Sequence, residues 1–181
     1  MLKKVTWSCK FFFKVLNPLL FDFLIPDTIA PFVGKLAVYD RSISTYEQTP
    51  KIFTLKKTKD TFRTNPPLLI VNSSKVSFAI AASDRFNESA NRNGIYETVL
   101  CRNNEPVVGF QLDSISYDET RYINAHIDYK YKSSGRGFLQ HISKLPGYNS
   151  SVYKTANSDG VITLDDTLVH KIKLEVKDAN D

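Results

Sequence analysis

The sequence predicts an all-β protein, an antiparallel, immunoglobulin-like β-sandwich. Two observations carry this prediction. Apolar and polar residues alternate along residues 75–82, and two apolar runs, 95–101 and 106–112, are separated by the polar residues 102–105. Alternation is typical of a half-buried strand, and paired runs with a short polar break are typical of a β-hairpin. Because no amphipathic helix lies between these segments, we expect antiparallel pairing rather than parallel βαβ units.

The first of these strands has one apolar and one polar face. The alternation places Val76, Phe78 and Ile80 on a buried face and Ser77 on an exposed one. Residues 83–94 are rich in Asn, Asp and Ser, which favour turns over regular strands. We therefore expect a surface loop between this strand and the hairpin.

The chain is expected to contain three parts. Residues 1–14 form a divergent N-terminal segment, residues 15–31 an apolar connector, and residues 32–181 the β-sandwich. Pro26 and Pro31 bracket the end of the connector, where proline removes backbone donors and stiffens the chain. The boundary between connector and sandwich is placed there.

Two short strands open the sandwich, at residues 35–39 and 51–55. The polar loop between them, residues 40–50, carries a single aromatic residue, Tyr46. Residues 56–67 are charged and end in two prolines, a composition typical of a long exposed turn.

The longest alternating run covers residues 121–131 and predicts another strand. Its apolar face includes Ile123, Ile127 and Tyr131. The opposite face consists of Tyr122, Asn124, His126 and Asp128. We expect this face to be exposed to solvent or to contact a polar partner.

The remaining sequence is a long irregular stretch followed by a last strand. Residues 133–157 contain three glycines and a short helical turn predicted at residues 138–144, and loops of this length are often functional. Asp159 and Gly160 form a strong turn dipeptide. Residues 168–176 alternate again and predict the final strand.

Composition excludes several classes of protein. The chain has 42% hydrophobic, 12% aromatic and 24% charged residues, which is a globular composition. Its net charge of +5 is spread over short basic clusters with no recognition helix, zinc finger or stacking motif, so we expect no nucleic-acid partner. Lys10, Lys14 and Pro18 interrupt the apolar N-terminal run, which indicates neither a signal peptide nor a membrane span.

The two cysteines, Cys9 and Cys101, lie in unrelated contexts and form no Cys-x-x-Cys pair. This arrangement excludes zinc-finger and thioredoxin-like chemistry. Two separate buried thiols are favoured, and a disulfide between them stays open.

The chain offers few groups for catalysis. Its three histidines, His126, His141 and His170, do not have the spacing of a zinc motif, and there is no Gly-x-Ser-x-Gly nucleophile. His126 and Asp128 could form a catalytic pair, but surface decoration is favoured. We therefore assign no catalytic residue, no metal ligand and no cofactor. The candidate binding surface consists of Tyr122, Asn124, His126, Asp128, His141 and Tyr148.

Five segments together resemble a known family. They are NPLLFDFLIPDTIAP (17–31), LAVYDR (36–41), GFQLDSISYDETRYINAHIDY (109–129), LQHISKLPGY (139–148) and DGVITLDDTLVHKIKLEVKDAN (159–180). These strings are similar to the region after the catalytic domain in Bacteroidetes envelope proteins of the lysostaphin or LytM type, which are zinc metallopeptidases of peptidoglycan. The similarity covers residues 15–181.

The resemblance implies an envelope or periplasmic location and peptidoglycan, or a catalytic peptidase domain, as partner. In that family, zinc is held by His-x-x-x-Asp and His-x-His elements upstream of this region. Here residues 4–14, KVTWSCKFFFK, contain neither histidine nor carboxylate. The expected function is therefore that of a non-catalytic accessory domain, a fragment also truncated at its C-terminus. The alternative is a zinc endopeptidase of this family whose catalytic domain is supplied elsewhere.

Overall fold

The computed structural model describes residues 14–16, 27–59, 61–87, 89–154 and 158–179. The divergent N-terminal segment, apart from residue 14, and most of the connector lie outside these ranges. The described chain forms two larger antiparallel β-sheets with few helical residues, which confirms the predicted all-β sandwich. The described residues include two helical segments, a 3₁₀ helix (Tyr117–His126) and α1 (Tyr129–Ser133).

Twelve strands are present among the described residues. In chain order they are β1 (Lys14–Leu16), β2 (Phe32–Asp40), β3 (Lys51–Thr58), β4 (Thr61–Thr64), β5 (Lys75–Ser83), β6 (Glu97–Arg102), β7 (Glu105–Gln111), β8 (Ser114–Ser116), β9 (Gln140–His141), β10 (Tyr153–Lys154), β11 (Ile162–Thr163) and β12 (Ile172–Lys177).

The first sheet has the order β11–β5–β2–β3–β4, and β9 also pairs with β5. The second sheet has the order β10–β7–β6–β12, and β1 pairs separately with β8. All pairings between strands are antiparallel. The last strand, β12, pairs with β6. It therefore lies beside the hairpin formed by β6 and β7 rather than next to β11, the strand before it in the chain.

The main core lies between the two larger sheets. The paired residues Leu36–Ile80 and Val38–Phe78 of the first sheet point into it. Leu100 and Phe110 of the second sheet face them and are fully buried. Burying large apolar side chains of this kind contributes about 1.5–3 kcal/mol each, so this contact is the main source of stability.

A second, smaller core lies on the other face of the first sheet. Ala37 and Ala79, which are register partners, pack there with Tyr39, and Tyr131 of α1 and Leu139 cover them. The strand β5 is therefore buried on both faces. The prediction that its polar face is exposed was wrong, because the segment around α1 covers the side of the sheet on which Ser77 lies, and Ser77 is fully buried.

The prediction of a strand at residues 121–131 was also wrong. Residues 121–126 form most of the 3₁₀ helix, and residues 129–131 begin α1. Ile123 and His126 are three residues apart, which places them on one side of a 3₁₀ helix. The Asp128 side chain then accepts the Tyr131 N–H and caps α1, a local signal for a helix start that the alternating pattern obscures.

Three smaller predictions were corrected by backbone pairing. The exposed turn expected at residues 56–67 is largely a hairpin, because β3 continues to Thr58 and pairs with β4. The helical turn expected at residues 138–144 is replaced by β9, since the edge of β5 offers a strand partner. The final strand begins at Ile172 rather than residue 168, and Leu168 and Val169 are exposed.

The predicted central hairpin is confirmed, with a turn of two residues, Asn103 and Asn104, both at positive φ. The loop expected at residues 83–94 is confirmed apart from Ser83, which ends β5, and Asp84 and Asn93 form a bridge at its base. No helix in the described part of the chain is long and apolar enough to cross a membrane.

Candidate functional site

His126 lies inside the protein rather than on the solvent-exposed face that the sequence predicted. Its ring packs edge-on against Phe110, with the centroids 4.3 Å apart. The Tyr153 hydroxyl donates to the His141 carbonyl over 3.2 Å, so it accepts from Nδ1–H of His126 over 3.0 Å. Burial, and secondarily the neighbouring His141, lowers the pKa of His126 to about 3. This imidazole is therefore neutral at physiological pH.

His141 is also buried, and it lies against the first sheet. Its strand, β9, pairs with β5, and its ring lies 4.9 Å from the ring of Tyr39. Burial is the main cause that lowers the pKa of His141 to about 4. Both histidines thus occupy structural positions that join β9 and the 3₁₀ helix to the sheets.

Asp128 links α1 to the sheet below it. Its Oδ2 accepts the Tyr39 hydroxyl over 2.5 Å, and its Oδ1 accepts the Tyr131 N–H over 2.8 Å. Burial, followed by this hydrogen bond, raises the pKa of Tyr39. Both oxygens of the Asp128 carboxylate accept hydrogen bonds that position α1. Asp128 is therefore not a free surface group and does not pair with His126.

Three tyrosine rings converge at the surface. Tyr122 of the 3₁₀ helix meets Tyr148 edge-on, with the ring centroids 6.1 Å apart. Tyr46 lies close enough to Tyr148 for the two side chains to interact: burial, followed by the Tyr148 side chain, raises the pKa of Tyr46 to about 12. Tyr46 is 58% exposed and Tyr148 36% exposed. We call Tyr46, Tyr122 and Tyr148 the tyrosine cluster.

The segments carrying the cluster are held by hydrogen bonds. Gln48 closes the loop that bears Tyr46: its Nε2 donates to the Asp40 carbonyl over 2.6 Å, and its Oε1 accepts the Asp40 N–H over 2.9 Å. On the other side, the Ser151 N–H donates to Oε2 of Glu119 over 2.7 Å, which ties the Tyr148 loop to the 3₁₀ helix.

Charged groups adjoin the cluster. The Arg121 guanidinium lies 4.8 Å from the Tyr122 ring centroid, a cation–π contact. Arg41 donates to the buried hydroxyls of Ser77 and Ser143, over 3.3 and 3.1 Å, and its charge acts on Tyr46. Burial lowers the pKa of Arg41, and Asp159 partly offsets this effect.

The six predicted surface residues therefore separate into two groups. Tyr122 and Tyr148 lie together at the surface, and Asn124 is exposed on the same 3₁₀ helix as Tyr122. The other three point inward and are structural, namely His126, Asp128 and His141. Sequence reasoning missed Tyr46 as a site residue, although an aromatic side chain alone in a polar loop was the available signal.

The third histidine and the cysteine are also accounted for. His170 Nε2 lies 2.7 Å from Oδ1 of Asp166, and Arg102 donates to its Nδ1, so both ring nitrogens have partners. Cys101 is a buried free thiol, as predicted. Cys9 lies outside the described residues.

One group of carboxylates has a geometry that could hold a cation. Asp27, Asp84 and Asp178 each offer an oxygen, and these atoms lie within 4.8 Å of one another. An all-oxygen donor set suits Ca²⁺ or Mg²⁺ rather than zinc. We assign no metal to them.

The chain matches no protein-family model, no curated protein and no solved structure.

Proposed function

We propose that this chain is a non-catalytic interaction domain of a cell-wall protein, which binds peptidoglycan or the catalytic domain of a peptidase. The observation that carries the proposal is the orientation of its side chains. The groups best suited to acid–base chemistry, His126 and His141, are buried and hold strands together. Tyr46 and Tyr148 of the tyrosine cluster instead present large aromatic side chains to solvent, and tyrosine and arginine are enriched at binding surfaces.

The cell-wall context rests on the resemblance of residues 15–181 to the region after the catalytic domain of lysostaphin-type peptidases. A β-sandwich in this position serves as a spacer or an adhesive module. Loops on a rigid sandwich can bind a polymer without any chemistry of their own. The zinc elements of the resembled family belong to the upstream domain, so the proposed role requires no metal.

Co-sedimentation of the full chain with purified peptidoglycan tests the proposal. We expect the protein to pellet with peptidoglycan and to remain in solution with microcrystalline cellulose, an insoluble glycan without peptide. In the same samples, we expect no stoichiometric zinc and no release of soluble muropeptides. Equal sedimentation with both polymers, or with neither, would contradict binding to the cell wall. Muropeptide release with bound zinc would instead support the peptidase alternative.

A further inference from the structure

We propose that the tyrosine cluster is a saccharide-binding site and that it takes the glycan rather than the peptide part of the cell-wall polymer. This inference deepens the proposed function and rests on it. Sugar rings have apolar C–H faces and polar rims. A tyrosine side chain has the same division, an apolar ring and a polar hydroxyl.

The three rings come from separate parts of the chain and meet at one place. Tyr46 lies in the loop between β2 and β3, Tyr122 in the 3₁₀ helix, and Tyr148 in the loop between β9 and β10. Edge-to-face contact between Tyr122 and Tyr148 fixes their relative orientation, and Tyr46 is near enough to Tyr148 for that side chain to shift its pKa. The three side chains therefore lie near one another in one part of the surface rather than as scattered exposed residues.

This surface is organised before any ligand binds. Gln48 and Glu119 hold the two loops through the hydrogen bonds described above. Leu145 and Ser150, on either side of Tyr148, are buried and anchor that loop to the body of the protein. Because immobilising a side chain on binding costs about 0.5–1.5 kcal/mol, rings that are already ordered bind with less loss of entropy.

The local charge favours a saccharide over a polyanion. Arg121 and Arg41 adjoin the rings, while Glu119 holds the Tyr148 loop and Asp159 acts on Arg41. The Lys130 ammonium also reaches the Tyr46 loop and donates to the Gln48 carbonyl over 3.3 Å, so the two anions compensate the nearby positive charge in part. Nucleic-acid binding depends on uncompensated positive charge that neutralises phosphates. An aromatic surface whose positive charge is partly compensated is better matched to uncharged sugar rings.

Binding of an N-acetylglucosamine hexamer, followed by isothermal titration calorimetry on the full chain, tests the inference. We expect Tyr148→Ala and Tyr122→Ala to weaken binding about tenfold or more, as loss of a central aromatic contact does. Tyr117→Ala and Tyr129→Ala remove exposed tyrosines outside the cluster and are the matched controls, with unchanged affinity expected. Urea midpoints of all four variants establish that each one folds.

Parallel sedimentation with peptidoglycan separates the two proposals. If the wild type binds peptidoglycan but the cluster variants bind it equally well, the saccharide site is wrong and the cell-wall function stands. If the hexamer binds through the tyrosines but peptidoglycan does not, the site stands and the cell-wall function fails. Tyrosine-dependent binding of oligo(dT) tighter than that of the hexamer would overturn the saccharide assignment.

Discussion

The Tyr39 hydroxyl donates to Oδ2 of Asp128 over 2.5 Å, which joins the central strand β2 to the start of α1. Tyr39 is fully buried, and the same carboxylate caps α1 through the Tyr131 N–H. One aspartate therefore fixes the segment that covers the outer face of the first sheet. This contact explains why residues near α1 are structural rather than part of an open binding face.

Replacing this aspartate should destabilise the fold. Asp128→Ala removes an acceptor from a buried hydroxyl and a helix cap, and together these losses should cost about 2–4 kcal/mol in the free energy of unfolding. Urea denaturation measures the change. Asp118→Ala, at an exposed position in the 3₁₀ helix, is the control and should change stability by less than about 0.5 kcal/mol. Equal effects from both substitutions would contradict the assigned role.

Stability should fall in mild acid because of the two buried histidines. The pKa values of His126 and His141 are lowered in the folded state, to about 3 and about 4, from an ordinary value of about 6.5. At a pH between the folded-state and the ordinary pKa values, the unfolded chain binds more protons than the folded chain. The free energy of unfolding therefore rises with pH up to about 6.5, and the contribution of the two histidines is flat above that value.

Each histidine contributes at most about 1.4 kcal/mol per pH unit to this dependence. Urea midpoints at several values between pH 4.5 and 8 measure the slope. His141→Gln removes one of the titrating groups and should flatten the slope between pH 4.5 and 6.5. A slope that is the same in the variant and the wild type would show that other groups dominate.

Gly160 should tolerate no side chain. It lies at φ +84°, and a Cβ there would meet the Ile142 carbonyl oxygen at 2.6 Å. Gly160→Ala combines a strained backbone with a steric clash, and we expect a loss of about 2 kcal/mol or more in urea denaturation.

Gly135 provides the matched control for this substitution. Its φ is +75°, but a Cβ would meet nothing within 4 Å, so Gly135→Ala carries only the backbone strain, about 1 kcal/mol. If the two substitutions cost the same, the contact with Ile142 contributes nothing.

Cys101 should be unreactive in the native state. Burial raises the pKa of its thiol and also limits reagent access. In a Cys9→Ser variant, Ellman's reagent should label Cys101 rapidly in denaturing urea and only slowly in buffer. Rapid labelling in buffer would place this thiol at the surface and contradict its position in β6.

Several features followed from local patterns in the sequence. The alternation in β5, the polar break between β6 and β7, and the Asp159–Gly160 turn all depend on residues close together in the chain. Backbone preferences act over a few residues, so these signals survive in any globular context. They were sufficient to predict the all-β class and the antiparallel pairing.

The same reasoning identified only part of the candidate site. Tyr122 and Tyr148 were assigned to a binding surface, but Tyr122 on the assumption that residues 121–131 form a strand. Tyr46 joins them only because loops from β2–β3 and β9–β10 lie side by side in the folded chain. Contacts between residues so distant in sequence leave no periodic signal.

The sequence by itself determined the class of fold, the central hairpin and the places where the chain must turn. Tertiary structure alone decided that residues 121–126 and 129–131 are helical, that both faces of β5 are buried, and that His126 is a core residue. The physical reason is that burial depends on what covers a surface. Here α1 and Leu139 cover the outer face of the first sheet, and that contact is made between segments far apart in the chain.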